Sequence, residues 1–179
     1  IQNPTARAVY LQTITLMQTI IDGLKLLHLL KEDRYPFEIS VVNPVFLLET
    51  TLALYFPDTK MLTVKTTTAS PVETDVNLAH ILLRNVIENA AKYKSGKQAV
   101  ALSVSENSIS ICHETTHDHY TQFQHYYDTA HTSATVPRHH IGIYLIHTIT
   151  TALDINWSFT FENEQLTQTF RFPADYTVT

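Results

Sequence analysis

A repeating apolar seam runs through residues 5–31 and limits how this chain can fold. Its members recur at spacings of four and three, the pattern of a helix that packs along one side in a coiled coil: they are Tyr10, Ile14, Met17, Ile21, Leu24 and His28. No second helix of this kind follows in the sequence. The seam therefore predicts either a partner helix or burial against the rest of the same domain.

Alternating helices and strands follow the seam, after a segment at 34–44 that contains two prolines. Periodicity predicts helices at 45–55, 76–93 and 141–153, and strands at 61–67 and in hairpins that turn at Glu106-Asn107 and Asn163-Glu164. Residues 114–138 are polar, rich in histidine and poorly periodic, and we expect them to form a loop. This order predicts an α+β fold, a two-layer α/β sandwich with helices on one face of a mixed sheet.

The composition excludes several classes of function. The net charge is -5, so no basic stripe is available for phosphates, and we expect no nucleic-acid partner. A single cysteine, Cys112, excludes an intrachain disulfide and a cysteine-rich zinc module. Polar side chains interrupt the most apolar stretch, residues 8–30, so we expect neither a transmembrane span nor a secretory signal. Because the chain starts at Ile1, we expect it to be a fragment. The question whether a membrane anchor precedes it stays open.

The predicted helix 76–93, with Asp75 as its expected N-cap, combines an apolar surface with a polar stripe. Asn85, Asn89, Lys92 and Tyr93 lie at offsets of four, seven and eight residues and therefore share one side. Amide oxygens suit a hard cation such as Mg²⁺, and a lysine suits phosphate. The alternative is the solvated face of a half-buried helix, and the stripe alone does not decide between the two.

Ordered motifs give the chain a resemblance to sensor histidine kinases. The stretch LLRNVIENAAKYKSG (82–96) resembles their N box, N-x-x-x-N-A-x-K-Y. The stretch HHIGIYLIHTITTAL (139–153) resembles the G2 box and its helix, HYYD (125–128) stands where the F box belongs, and LTQTFRFP (166–173) resembles the final strand. Together these matches cover nearly all of residues 5–173.

The resemblance implies a Bergerat (GHKL-type) ATPase domain over residues 36–179 and the second helix of a dimerisation hairpin over 1–35. It implies ATP and Mg²⁺ as ligands, with Asn89 binding Mg²⁺, Asn85 supporting it, and Lys92 and Tyr93 facing the nucleotide. A homodimer through the N-terminal helix, a response regulator as partner and a cytoplasmic location are also implied. The phosphoacceptor histidine of the family lies on the first hairpin helix, so we expect no catalytic residue in this chain.

Both glycine boxes of the family are degenerate here. The D-x-G-x-G loop, whose aspartate takes adenine, should follow the strand SISICH, where His113 occupies the aspartate position or, after a one-residue shift, Glu114. Neither register offers a glycine. In the G2 box only Gly142 remains, and His140 can attract an anion but cannot give a glycine's close backbone approach. We therefore expect weak or absent ATP binding, with Glu114, His140 and Gly142 as the remaining candidates on this side of the pocket.

Residues 113–117, HETTH, also fit the zinc-protease pattern H-E-x-x-H, with His113 and His117 as ligands. That pattern needs a helix that places both histidines on one face, whereas here it directly follows a predicted strand. A protease is therefore disfavoured, while a transition-metal site in the histidine-rich segment 113–140 stays an alternative. Three hypotheses result: an active kinase domain, a pseudokinase that acts as a dimeric regulatory module, and a metal-binding module.

Overall fold

The computed structural model describes residues 4–58, 60–132 and 141–174. A long helix, α1 (Pro4–Lys31), comes first, and the later helices are α2 (Pro44–Tyr55), α3 (Val76–Tyr93), α4 (His117–Thr132) and α5 (Ile141–Ala152). The strands are β1 (Ile39–Val42), β2 (Leu62–Ala69), β3 (Val72–Asp75), β4 (Val100–Glu106), β5 (Ser108–Glu114), β6 (Asn156–Glu162) and β7 (Gln165–Arg171). No helix in these ranges is both long enough and apolar enough to cross a membrane.

The larger sheet is mixed and is covered by helices on one face. Its strand order is β2-β4-β5-β7-β6, with β2 parallel to β4 and every other neighbouring pair antiparallel. Alternate residues of the central strands are buried under the helices, for example Leu102 on β4 and Ile111 on β5, whereas Ala101 and Ser105 are exposed. The predicted α/β sandwich is therefore confirmed.

Both predicted hairpin turns are also confirmed. The β4–β5 turn has a positive φ of 52° at Glu106, and the β6–β7 turn has φ values of 50° at Asn163 and 61° at Glu164. A tight type I′ turn requires positive φ at both central residues, and the β6–β7 turn meets this requirement. Asparagine adopts this region readily, whereas glutamate does so less often.

A small antiparallel ribbon of β1 and β3 is present although no periodicity predicts it. The ribbon pairs Ile39 with Asp75 and Val42 with Val72, and each strand has only 4 residues, too few for a clear alternation. Asp75 ends the ribbon and caps α3, as expected. One carboxylate oxygen accepts a hydrogen bond from the Leu78 amide at 3.0 Å, and the other accepts one from the Glu38 amide at 2.9 Å.

The expectation of a loop over residues 114–138 is wrong for most of its length, because α4 occupies His117–Thr132. One side of α4 is aromatic and packs on β6. The ring of Tyr120 stacks on Phe161 at 4.2 Å, and Phe123 meets Phe159 edge to face at 5.1 Å. Histidine and threonine are weak helix formers, and this tertiary packing supplies the stability that propensity does not. Residues 133–138 lie outside the described part of the chain.

Among the side chains of α1 that the structure describes, the buried ones lie at its C-terminal end. Leu27 and Leu30 belong to the core, and Gly23 lies against Ile141 of α5. The earlier seam residues are exposed, and Tyr10 is 72% exposed. Each sequence alternative therefore describes one part of the helix: its C-terminal end packs within the domain, and the seam from Tyr10 to Leu24 is exposed.

Candidate functional site

The polar stripe of α3 borders a cavity. The apolar side of the helix, including Leu82 and Ile87, is fully buried and fixes how the helix is rotated. As a result Asn89, Lys92 and Tyr93 line the cavity, while Asn85 does not. Asn89 and Tyr93 are half-buried and Lys92 is exposed, so the stripe is more than a solvated helix face.

The cavity lies between α3, α4, α5 and the covered face of β5 and β7, and it has a volume of about 200 Å³. Its floor consists of buried residues, namely His113, Thr115, Leu166 and Gln168. Its walls carry half-buried aromatic side chains, and its rim carries exposed polar ones: Tyr93, Phe123 and Tyr126, then Lys92, His119 and Gln122. The lining is completed by Asn89, Gly142 and Ile143. No carboxylate is present among the described lining residues.

Strand alternation decides which of the two candidate residues at the end of β5 faces the cavity. Ile109, Ile111 and His113 point toward the helices, so Glu114 points to the opposite face of the sheet. There its carboxylate lies against Gly96, and the Glu114 carbonyl accepts a hydrogen bond of 2.9 Å from the Ser95 amide. The structure therefore brings His113, and not Glu114, together with the stripe of α3.

Two buried polar atoms at the cavity floor have no partner in the structure: Nδ1 of His113 and Oε1 of Gln168. These side chains are 5% and 3% exposed. His113 pairs with Leu166 across the β5–β7 ladder, and Gln168 is two residues farther along β7, so the two are diagonal neighbours on one face. An unpaired buried polar atom costs about 1–3 kcal/mol, so these two side chains are a local cost to stability beside the cavity.

The floor of the cavity is uncharged at neutral pH. Burial lowers the pKa of the His113 imidazole to about 4. A neutral imidazole carries one N–H donor and one acceptor nitrogen. The floor therefore offers hydrogen bonds without a charge of either sign.

Gly142, near the start of α5, lies over both amides of the stripe. A β carbon at this position would lie 3.6 Å from Nδ2 of Asn89 and 3.7 Å from Oδ1 of Asn85, which are ordinary van der Waals contacts. Nδ2 of Asn85 also donates a 2.7 Å hydrogen bond to the Ile81 carbonyl. Both amides thus lie on the side of α3 that faces Gly142 of α5. His140, another residue that the sequence analysis names as a candidate, lies outside the described residues.

The HETTH motif is divided between two elements. His113 is buried on β5, whereas His117 begins α4, is exposed, and has its ring 6.0 Å from that of Phe161. The two histidines do not share a helix face, which is the arrangement a zinc protease requires. The described ranges contain no group of three or more metal-ligating side chains.

Sequence patterns do not single out three residues that line the cavity: Gln122, Phe123 and Gln168. The two on α4 cannot be assigned to the cavity from the sequence, because residues 114–138 are expected to form a loop. Gln168 carries a usable signal, because it lies between Leu166 and Phe170 at the inward positions of β7. A glutamine between two inward apolar residues is a buried polar group, and such groups normally have partners.

Comparison with known proteins gives similarity in structure but none in sequence. No protein-family model matches the chain, and no curated protein sequence matches it. The Acinetobacter baumannii histidine kinase AdeS matches with a TM-score of 0.72 and 14% identity, over 98% of this chain and 87% of that one. A nucleotide-free catalytic domain of histidine kinase ThkA matches with a TM-score of 0.58 and 13% identity, over 77% of this chain and 98% of that one.

The structure of full-length ShkA in complex with AMPPNP is similar over 97% of this chain and 40% of that chain, with a TM-score of 0.63 and 15% identity. The AdeS and ShkA similarities extend over α1 as well as over the α/β sandwich, because they cover almost the whole chain. The chain therefore has the fold of a sensor histidine kinase catalytic domain, preceded by one long helix.

Proposed function

We propose that this chain is the catalytic-domain portion of a two-component signalling protein in which binding of ATP and Mg²⁺ is weak or lost. The observation that carries the proposal is the neutral, buried His113 on the face of β5 that lines the cavity. An aspartate at this position can accept hydrogen bonds from an adenine amino group with a full negative charge. A neutral imidazole has a single acceptor nitrogen and no charge.

The donor set on the phosphate side supports the same proposal. Mg²⁺ requires near-octahedral oxygen coordination, usually with carboxylates and phosphate oxygens, and the described cavity lining offers the amide of Asn89 without a carboxylate. The other amide of the stripe, Asn85, does not line the cavity. The residues present therefore fit Mg-ATP poorly, and we derive no phosphoryl transfer step for this chain.

A role as a dimeric regulatory module, a pseudokinase, follows from this proposal. We propose that residues 1–35 act as the second helix of a dimerisation hairpin and that residues 36–179 act as an ATPase-like domain. The exposed seam of Ile14, Met17 and Leu24 supports dimerisation, because contiguous exposed apolar surface marks an interaction site. By analogy with the kinases of this fold, the partner protein is a response regulator and the location is cytoplasmic.

Titration calorimetry and thermal unfolding with Mg-ATP test the proposal. We expect no heat of binding and no shift in the melting temperature at millimolar nucleotide. A shift that requires Mg²⁺ and disappears in Asn89→Asp would instead establish an active nucleotide site. Asn77→Asp is the matched control, because Asn77 is an exposed asparagine in the first turn of the same helix.

A further inference from the structure

Two histidine side chains join the last turn of α4 to α5. The ring centroids of His131 and His147 lie 4.0 Å apart, with an angle of 35° between the ring planes. His131 belongs to the last turn of α4, and His147 lies near the middle of α5. The His131 ring also contacts the ring of Tyr127, one turn earlier on α4, at 4.1 Å. Because histidine changes its charge in the physiological pH range, the contact between the two helices contains two groups that acid can charge.

A backbone hydrogen bond fixes the tautomer of His131. Its Nδ1 lies 2.7 Å from the carbonyl oxygen of Tyr127, and because a carbonyl only accepts, Nδ1 carries the hydrogen. Protonation therefore adds a hydrogen at Nε2 and leaves this bond intact. The last turn of a helix also favours a positive charge. His131 can thus become a cation without leaving its position on α4.

Protonation of His147 beside a charged His131 is opposed. His147 is half-buried, and burial and, to a smaller extent, the neighbouring His131 lower its pKa. Two positive charges at such a short ring separation repel strongly where water screens them incompletely. Below about pH 6.5, the ordinary pKa of a histidine side chain, the separated rings therefore bind more protons than the joined ones. This difference weakens the contact as the pH falls and leaves it at full strength above that value.

The other titratable groups around the pair do not cancel this repulsion. Those in the described part of the chain are Tyr127 and Asp128 on α4, Tyr144 on α5, Lys31 at the end of α1 and Asp33 in the turn after it, while β6 contributes the uncharged Trp157. Lys31, which lies over the Tyr144 ring at 4.8 Å, and Asp33 carry opposite charges. No carboxylate of the described ranges forms an ion pair with either histidine. The change in charge at this contact in mild acid is therefore that of the two histidines.

We propose that His131 and His147 form a pH-sensitive contact that holds the last turn of α4 on α5 at neutral pH and releases it in mild acid. This inference goes beyond the proposed function, because it requires neither a nucleotide nor a second chain. The released part is limited to the end of α4, since the stacking of Tyr120 on Phe161 holds the start of this helix on β6. A short helix end without tertiary packing frays, so release exposes its amides to exchange with water.

Hydrogen exchange of the full 179-residue chain, followed by mass spectrometry, tests the proposal. Amide protection is compared at about pH 7.5 and about pH 5.5, on either side of the ordinary histidine pKa, after correction for the pH dependence of the intrinsic exchange rate. In the wild-type chain we expect the protection of residues 127–132 to fall about tenfold at the lower pH. Unchanged protection of these residues would overturn the proposal.

Two variants that keep a ring at the contact locate the effect. In His147→Phe the protection of residues 127–132 should change by less than about twofold between the two pH values, because the buried titrating group is gone. His131→Phe should leave a smaller fall than the wild type, about threefold, because burial of His147 by itself still opposes protonation. His125→Gln is the matched control: His125 is exposed on the same helix, and its replacement should leave the tenfold fall intact.

The variants also define the contrary results. A tenfold fall that persists in His147→Phe would overturn the proposal, because the effect would then come from another group. A tenfold fall that persists in His131→Phe would overturn it as well, because repulsion between the two rings would play no part. His131 is exposed, so its variant keeps the proposal testable if the change at half-buried His147 prevents folding.

Discussion

Glu114 on β5 packs its carboxylate against Gly96, and strand alternation places this side chain on the face of the sheet opposite the cavity. The neighbouring His113 consequently faces the helices. One strand position thus determines whether the cavity floor carries a carboxylate or a neutral imidazole.

The close packing of Gly96 and Glu114 leads to the first prediction. No glycine in the described ranges has a positive φ, so replacing Gly96 introduces no backbone strain, and only the contact matters. Gly96→Ala should lower the free energy of unfolding by about 1 kcal/mol, the low end for overpacking because a flexible side chain can move. In a Glu114→Ala background the same change should cost less than about 0.3 kcal/mol. Urea unfolding of the wild type, both single variants and the double variant measures how strongly the two positions are coupled. An equal loss of unfolding free energy from Gly96→Ala in both backgrounds would contradict the close packing of Gly96 and Glu114.

Burial of His113 makes stability depend on pH. The imidazole has a pKa of about 4 in the folded chain and about 6.5 in the unfolded chain. Between these values the unfolded state binds a proton that the folded state does not, so stability is full above about pH 6.5 and falls as the pH drops toward 4. Titration of His113 should therefore change the free energy of unfolding by an amount on the order of 3 kcal/mol across this pH range.

Replacing His113 isolates this contribution. His113→Gln should flatten the fall in unfolding free energy between about pH 6.5 and 4, because glutamine does not titrate. His80 and His147, whose pKa values are also lowered by burial, remain in both proteins and cancel in the comparison. Exposed His125 provides the control, and His125→Gln should leave the slope unchanged. An identical slope in all three proteins would show that His113 is not the group responsible.

The cap of α3 gives a third prediction. Asp75 is 1% exposed and accepts two backbone hydrogen bonds, from Leu78 and Glu38. Asp75→Ala should therefore reduce the free energy of unfolding by about 2–3 kcal/mol, since it removes both a cap and a buried charge-assisted bond. Asp58 is the control: it is exposed and accepts one bond from the Lys60 amide at 3.2 Å, so Asp58→Ala should cost less than about 0.5 kcal/mol. Chemical denaturation measures both variants, and a similar loss of unfolding free energy in Asp75→Ala and Asp58→Ala would argue against the capping role of Asp75.

The seam of α1 provides a fourth prediction, which tests the proposed dimer. Met17 is 57% exposed on the seam, and Asp22 lies about a third of a turn away from the seam's centre, given 3.6 residues per turn. By light scattering after size exclusion, the wild-type chain and Asp22→Lys should be dimers. Met17→Lys should be a monomer, because it places a charge in an apolar interface. A monomeric wild-type chain at every concentration would contradict dimerisation through α1.

The sequence was sufficient to predict the elements that have strong periodicity. Helix α3, its Asp75 cap and the two hairpins all follow from local patterns that tertiary packing reinforces. The ribbon of β1 and β3 could not be predicted, because two four-residue strands show no periodicity until they pair. Helix α4 was missed for a different reason: its histidines and threonines indicate a loop, and its stability comes from the rings of β6.

The sequence predicts the part of the candidate site that α3 contributes, but not the part that the sheet contributes. Asn89, Lys92 and Tyr93 follow from helical spacing, which fixes their common side. The contribution of the sheet depends on register, and a one-residue ambiguity at His113 and Glu114 reverses which of them points inward. Gln168 required the pairing of β7 with β5 before it could be placed beside His113.

The aromatic packing between α4 and β6 has a practical consequence. Trp157 is the single tryptophan of the chain, is 7% exposed, and lies 4.8 Å from Tyr127 and 6.2 Å from Phe123 between ring centroids. Its indole is thus an intrinsic fluorophore whose surroundings are largely supplied by α4. Detachment of this helix from the sheet would expose the indole to water and shift its emission to longer wavelength, so the protein carries its own optical reporter of the helix that walls the cavity.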